Sequence, residues 1–165
     1  MAYTLQQLSD IEDIKKVKAR YFRTMDYKQW DELADCFCED FRYEMIDPDQ
    51  GRTAMVEDAS RIAYIEALKA TLDQSTTTHH GHMIEVELTS ENTATCYTAL
   101  NDVVDLYKWG ISQEGWAHYY ETYKKCADGK WRIHRMSIRY LRVHRTPLQG
   151  EWKANPDFNA LSTIF

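Results

Sequence analysis

The chain of 165 residues has only six glycines and three prolines, and no stretch rich in them divides it into two domains. It also lacks an apolar run near the roughly 20 residues that span a bilayer. Its first ten residues show no basic segment followed by an apolar one, the pattern of a secretory signal. We therefore expect one soluble, cytoplasmic domain without membrane contact, long enough to bury its own apolar core.

Basic residues are also too few for a nucleic-acid partner. Lys and Arg number 20 against 26 Asp and Glu, which gives a formal charge of −6, whereas phosphate binding requires clustered positive charge. The four cysteines include a C-x-C but no C-x-x-C, so we expect free thiols rather than a disulfide framework.

Aromatic residues, in contrast, are plentiful: 11 Tyr, 5 Trp and 5 Phe. Such side chains build cores first and apolar ligand pockets second. The composition is thus compatible with a pocket for an apolar small molecule.

Three amphipathic helices are predicted in the first half of the chain. From Thr4, which begins a T-x-x-Q capping box, apolar residues recur at helical spacing as far as Asp26. A short second helix is expected over 29–37 and a strand over 41–46. The segment 53–72 repeats apolar residues at intervals of three and four, which predicts a third helix.

From residue 76 onward the composition changes to β-branched and aromatic residues with turn signals. Strands are predicted over 76–88, 93–107, 116–126 and 130–143. Helices followed by antiparallel strands predict an α+β domain, with the helices packed on one face of a curved antiparallel or mixed sheet. We place this domain at 1–148 and a C-terminal extension at 149–165, whose apolar end would need cover from the core or from a partner subunit: Leu161, Ile164 and Phe165.

Half of the six histidines lie in T-H-H-G-H at 78–82, which allows two kinds of chemistry. On a regular strand His80 and His82 share one face, and His118 from another strand could complete a three-histidine zinc site. Neither H-E-x-x-H nor a cysteine pair accompanies them, so we expect no metal. Proton transfer is the alternative, because the unperturbed pKa of histidine lies nearest neutrality.

A histidine base needs an orienting carboxylate, which fixes the tautomer of the ring and stabilises the imidazolium as it forms. Asp26 is a candidate because it ends the first helix, next to the apolar residues Phe22 and Met25. The residues alone leave a second interpretation open, in which Asp26 caps the following helix.

The strand pattern around His79 contains a conflict of parity. Ile84, Val86 and Leu88 occupy even positions, whereas His79 is odd, so a regular strand cannot turn all of them to one interior. We expect Gly81 to mark a bulge or bend that re-aims the side chains before it.

Four stretches together resemble the SnoaL-like proteins: Y-F-R-T-M-D-Y-K-Q-W-D-E-L at 21–33, T-H-H-G-H at 78–82, S-E-N-T-A-T at 90–95 and D-G-K-W at 128–131. The resemblance runs from about Leu5 to Leu148. It implies the cone-shaped α+β fold that nuclear transport factor 2 shares with ketosteroid isomerase. Within that superfamily the chain is most similar to the cofactor-free lyases scytalone dehydratase, bile-acid dehydratase and hexachlorocyclohexane dehydrochlorinase.

The resemblance to these lyases implies roles for individual residues. The aspartate before their K-x-x or K-x-W stretch corresponds to Asp26, and their base histidine corresponds to His79. G-W-A-H puts His118 at the place of a second catalytic histidine of scytalone dehydratase. Tyr21 corresponds to a tyrosine five residues before the aspartate of bile-acid dehydratase.

The chain also departs from these relatives. Met25 and Met45 stand where scytalone dehydratase has two tyrosines that hold a water against the substrate, so an identical substrate is not expected. Some relatives use an arginine in the last strand; the register leaves Arg135 and Arg139 open, and we favour Arg139.

We therefore predict a lyase without metal or organic cofactor that acts on an apolar, ring-containing molecule. His79, held by Asp26, removes a proton from carbon, and His118 or Tyr21 donates to the departing oxygen. The predicted substrate-binding residues are Phe22, Met45, Trp116, Tyr120 and Arg139.

Two other functions stay open at this point. One is an isomerase or cyclase with the same pair of residues, and the other is a noncatalytic ligand-binding or assembly module, like the small subunit of ring-hydroxylating oxygenases. Lyases of this kind are commonly trimers and isomerase-like relatives dimers. A homo-oligomer is expected, with a trimer favoured.

Overall fold

The computed structural model describes residues 2–49, 51–56 and 60–154. Its helices are α1 (Leu5–Asp26), α2 (Trp30–Ala34) and α3 (Arg61–Leu72). Its strands are β1 (Phe37–Asp47), β2 (Gly51–Val56), β3 (Ser75–Leu88), β4 (Thr93–Leu106), β5 (Ile111–Lys125) and β6 (Trp131–Pro147). A single 3₁₀ turn over Tyr107–Trp109 joins β4 to β5.

The strands described form one sheet in the order β2-β1-β6-β5-β4-β3. All neighbours pair antiparallel except β1 and β6, which are parallel, so the sheet is mixed. We call the face that packs against the helices the inner face and the opposite face the outer face. Helices on one side of a curved mixed sheet confirm the predicted α+β cone.

Helix α1 begins as the sequence predicts. The Thr4 hydroxyl accepts from the Gln7 backbone N–H at 3.2 Å, and the Gln7 side chain accepts from the Thr4 N–H at 2.9 Å. Its buried stripe packs on the sheet through Ile14, Val17, Tyr21 and Met25. Because the start of the helix and its packed stripe are fixed, its last residue, Asp26, is held against the inner face of β3.

Several predicted boundaries were wrong, each because strand pairing overrides the local pattern. The third helix begins at Arg61, since 51–56 form strand β2 and pair with β1. Helix α2 ends at Ala34, because Phe37 already pairs with Ile133 in β6. The expected loop over 108–115 is mostly strand: β5 begins at Ile111, directly after Gly110 turns the chain with φ 62°.

The conflict of parity in β3 is resolved by a bulge, but not at Gly81. The register with β4 shifts between His82 and Glu85, where Met83 has φ 50°. Gly81 serves a different purpose, because a Cβ there would lie less than 3.0 Å from the Phe22 ring. His79 before the bulge and Ile84 after it can therefore both face the core.

The interior is apolar and aromatic, with Phe37, Phe41 and Tyr64 in mutual ring contact. The four cysteines are free thiols, as predicted. No helix within the described ranges is both long and apolar enough to cross a membrane. The apolar end of the C-terminal extension lies outside the described part of the chain: Leu161, Ile164 and Phe165.

Candidate active site

The structure brings Asp26 and His79 together at the end of α1. His79 Nδ1 lies 2.6 Å from Asp26 Oδ1, and the His79 backbone N–H donates to Asp26 Oδ2 at 3.0 Å. Their side chains are 22% and 9% exposed, respectively. An ionised carboxylate only accepts, so this contact suits the tautomer of a neutral imidazole that carries its proton on Nδ1 and has its lone pair on Nε2. Asp26 does not cap α2, whose N-cap residue is Gln29.

A chain of donors fixes the Asp26 carboxylate. The Thr77 hydroxyl, two residues before His79 on the same face of β3, donates to Asp26 Oδ1 at 2.9 Å. Lys28 Nζ in turn donates to Thr77 Oγ1 at 2.8 Å and to the Met25 carbonyl at 3.2 Å. Burial lowers the pKa of Lys28 to about 8, against the opposing effect of nearby carboxylates. These bonds restrict the orientation of Asp26 and hence that of the imidazole.

Neither Thr77 nor Lys28 was identified from the sequence, although both left a signal. Thr77 shares the odd parity of His79, and Lys28 belongs to the M-D-Y-K stretch. Lys28 also has φ 58°, an uncommon backbone conformation for a residue with a side chain. The sharp turn after α1 is what directs its ammonium back to β3.

An aromatic floor supports the imidazole. The Phe22 ring stacks on the His79 ring, with centroids 5.9 Å apart and planes 20° from parallel. Beneath it, Lys18 Nζ lies 4.7 Å from the Phe22 centroid and 2.8 Å from Glu121 Oε1. This ion pair is almost completely buried, and burial lowers the pKa of Lys18 while Glu121 opposes the shift. The pair was not predicted.

A second carboxyl group, also missed from the sequence, lies beside His79. Asp102 on β4 is the direct partner of His79 in the β3–β4 ladder and is 2% exposed. The Tyr140 hydroxyl donates to Asp102 Oδ2 at 2.6 Å, whereas Oδ1 is buried with no hydrogen-bond partner among the described residues. Burial raises the pKa of Asp102, although the Tyr140 bond opposes this.

Gly115 makes room for this carboxyl group. It pairs with Asp102 in the β4–β5 ladder, and a Cβ on it would lie less than 3.0 Å from both Asp102 Oδ1 and the Tyr140 ring. The alternation of residues along β4 could have identified Asp102 from the sequence, because it puts Asp102 on the same face as the buried Thr98 and Leu100.

Three more predicted residues are found on the inner side of the sheet. Tyr21 is buried, with its hydroxyl 3.3 Å from the Tyr119 hydroxyl and its ring 5.4 Å from that of Phe22. Met45 is half-buried and packs against the core from β1. Phe22 is the only one of the three with a ring contact to His79 among the described residues.

Four predicted site residues lie on the wrong face of the sheet: His118, Trp116, Tyr120 and Arg139. Ala117 and Tyr119 of β5 are buried inward, so the even-numbered residues between and beside them face outward. Tyr120 packs there under the Arg139 guanidinium, 5.2 Å from its ring centroid, and Trp116 contacts His144. The prediction from G-W-A-H took no account of the alternation of side chains along β5. His118 therefore does not lie beside Asp26 and His79.

His80 and His82 are exposed, with ring centroids 6.3 Å apart. Over residues 2–49, 51–56 and 60–154, no three His, Cys, Asp or Glu side chains are grouped as metal ligands would be.

Comparison with known proteins adds the family. The SnoaL-like domain matches residues 6–137. A structure named "Putative Scytalone Dehydratase", from Novosphingobium aromaticivorans DSM 12444, is 21% identical, with a TM-score of 0.69 over 88% of this chain and 93% of its own. Hexachlorocyclohexane dehydrochlorinase LinA-type3 from Novosphingobium barchaimii LL02 is 18% identical, with a TM-score of 0.67 over 92% and 99%. A Mycobacterium tuberculosis protein of unknown function is 25% identical, with a TM-score of 0.65 over 83% and 75%.

Proposed function

We propose that this chain, which belongs to the SnoaL-like family, is a cofactor-independent lyase that uses His79 as a general base. The observation that carries the proposal is the 2.6 Å contact between His79 Nδ1 and Asp26 Oδ1, supported by Thr77 and Lys28. A carboxylate on Nδ1 directs the lone pair of Nε2 to the reacting carbon. It also stabilises the imidazolium that forms when a proton is taken.

The substrate proposed is an apolar molecule with a ring. Phe22 offers an aromatic surface beside the base, and Met45 lies among the partly buried residues that pack on the core. A flat apolar substrate gains from burial against such groups without needing a charged partner. Two of the structural neighbours carry the names of a dehydratase and a dehydrochlorinase, both of which describe eliminations. Loss of water or another small fragment is therefore the reaction proposed here.

The test is a screen of aromatic, steroid-like and terpenoid alcohols and halides, with the mass of each product determined. We expect a product lighter than its substrate by one small molecule, formed by the wild-type chain and not by His79→Ala. A product of unchanged mass would instead identify an isomerase or cyclase with the same base. Binding without any product would identify a noncatalytic member, and either result would overturn the lyase proposal.

We further propose that copies of this chain associate through the outer face, as the trimer that the resemblance to the lyases implies. Tyr97 and Tyr120 are each 42% exposed there, in edge-to-face contact with one another. They border a depression of about 550 Å³ that also includes Arg42 and Arg135. Exposed aromatic and arginine side chains are enriched at protein interfaces. Light scattering should show a trimer that Tyr120→Glu dissociates, and a monomeric wild-type chain would contradict the proposal.

A further inference from the structure

We infer that Asp102 is a second catalytic residue, which donates a proton to a departing oxygen, and that the leaving group of the substrate is therefore a hydroxyl. This inference rests on the proposed function, because it completes the elimination that His79 begins. It goes further by naming an acid and by choosing between the oxygen and halide leaving groups that the proposed function leaves open.

Asp102 lies directly beside the proposed base. His79 and Asp102 are direct partners in an antiparallel ladder, and both face the interior. Side chains opposite one another in such a ladder have Cβ atoms about 4.5–5.5 Å apart. Base and acid would therefore stand side by side, on neighbouring strands, close enough to act on adjacent carbons of one substrate.

The two oxygens of the Asp102 carboxyl group differ in their hydrogen bonding. Tyr140 satisfies Asp102 Oδ2, but Oδ1 is buried without a partner among the described residues. Buried polar atoms nearly always have a hydrogen-bond partner, because a polar atom that is removed from water without one is destabilising. Gly115 allows this arrangement, because a Cβ at its position would clash with both Asp102 and Tyr140. An unpaired oxygen held in this way is suited to a partner that the substrate supplies.

The surroundings of Asp102 also bear on its protonation. Since the Tyr140 hydroxyl donates to Oδ2, a proton on the carboxyl group belongs on Oδ1. Burial raises the pKa of Asp102, and the negative charge of Asp26 acts in the same direction. Tyr140 and His79 act in the opposite direction. Asp102 thus keeps its proton at higher pH than an ordinary aspartate does, as a general acid must.

In the proposed elimination His79 is the base and Asp102 is the acid. Nε2 of neutral His79 takes the proton from carbon, and the electron pair of the C–H bond becomes the new carbon–carbon double bond. The adjacent C–O bond breaks, its electron pair stays on oxygen, and the Asp102 proton converts that oxygen to water. Transfer of the proton from the His79 imidazolium to the Asp102 carboxylate then restores both groups. No oxidant, reductant or other reactant is needed.

The leaving group follows from this chemistry. Hydroxide is a poor leaving group that must be protonated as it departs, whereas a halide leaves as a stable anion without a proton. A site that maintains a buried acid beside its base is therefore built for alcohols, with the hydroxyl and the acidic C–H on adjacent carbons.

The closing experiment begins with a titration that needs no substrate. Carbon NMR of the chain labelled at its aspartate carboxyl carbons, with Asp102→Asn to assign the resonance, measures the pKa of Asp102 directly. The groups that face Asp102 are His79 on β3, Asp26 on α1, Tyr140 on β6, Tyr43 on β1 and Tyr119 on β5. We expect the pKa of Asp102 to lie above the ordinary aspartate value and to rise further in His79→Gln and in Tyr140→Phe. A pKa at or below the ordinary value, or one that neither variant changes, would overturn the inference.

A kinetic comparison then separates this inference from the proposed function. For a compound that the screen shows to be converted, the alcohol and the matching chloride are compared in Asp102→Asn, with Asp105→Asn on the outer side of β4 as the control. We expect Asp102→Asn to slow the alcohol by about 10²-fold or more, as loss of a general acid does, and the chloride far less. Equal slowing of both would refute the acid role while leaving His79 as the base. His79→Gln should abolish both reactions. This result taken by itself supports only the proposed function, because it tests the base and not the acid.

Discussion

The two faces of the sheet carry similar side chains in opposite settings. On the inner face His79 has a carboxylate at 2.6 Å and an aromatic ring stacked on it. On the outer face His118, Trp116 and Tyr120 lie one residue away from buried neighbours and beside exposed arginines. A strand alternates its side chains, so a shift of one position moves a residue from a buried site to the surface. Residue type alone is therefore a poor guide to function in this sheet. The position of a residue in the alternation of its strand decides whether it faces the interior or the surface.

The largest expected difference between the faces is in the two histidines. His79→Ala should lower turnover by about 10²- to 10⁴-fold, the contribution typical of a general base. His118→Ala should change it less than about 3-fold, because its side chain points away from Asp26. Steady-state rates on one converted compound measure both. Comparable losses in the two variants would contradict the assignment of faces.

Gly115→Ala should disturb the inner face without replacing a titratable side chain. Its new Cβ would lie less than 3.0 Å from Asp102 Oδ1 and the Tyr140 ring, and overpacking of this kind typically costs about 1–3 kcal/mol of unfolding free energy. Urea denaturation measures the loss. In an Asp102→Ala background part of the clash is removed, so Gly115→Ala should cost less there. An equal cost in both backgrounds would show that the predicted contact is absent.

Thr77→Val tests the chain of donors behind Asp26. The change keeps the shape of the side chain but removes the donor to Asp26 Oδ1 and the acceptor for Lys28. We expect a loss of about 1 kcal/mol in unfolding free energy, the usual worth of a hydrogen bond, together with slower turnover. The control is Thr78→Val, since Thr78 is exposed on the opposite face. Thr78→Val should lose neither stability nor turnover to the same extent as Thr77→Val.

A pH dependence of stability due to Lys28 is also expected. Its pKa is about 8 in the folded chain against an ordinary 10.5. Between these values the unfolded chain binds a proton that the folded chain does not, so the free energy of unfolding rises with pH across this window. Lys28→Met should remove that part of the slope, whereas Lys16→Met, at an exposed position of α1, should not. Denaturation at several pH values between 8 and 10.5 measures it.

The class of fold could be predicted from the sequence because it depends on patterns that are local, whereas the pairing of Asp26 with His79 was implied by the resemblance to the lyases. The capping box at Thr4 and the helical stripe up to Asp26 are read within one helix. The strand β2 could not be predicted in the same way, since its pairing with β1 outweighs a helical period in its residues.

The rest of the candidate site depends on relations between strands. Asp102 becomes notable only when it is placed opposite His79 and over Gly115, and neither relation is present in the order of residues. The error at His118 has the same origin, because a motif likeness fixes a position in the chain and not the face to which it turns. The bulge lies beyond His82 rather than at Gly81. We predicted a bulge from the flexibility of Gly81, whereas the structure needs a glycine there because a Cβ would clash with the Phe22 ring.

The most direct test of the central claim is nitrogen NMR of the histidine rings, which needs no substrate. We predict that neutral His79 carries its proton on Nδ1, bonded to Asp26, with Nε2 unprotonated, and that Asp26→Asn alters this tautomer while leaving His118 unchanged. A neutral His79 protonated on Nε2, or a ring whose signals do not respond to Asp26→Asn, would show that Asp26 does not orient this base.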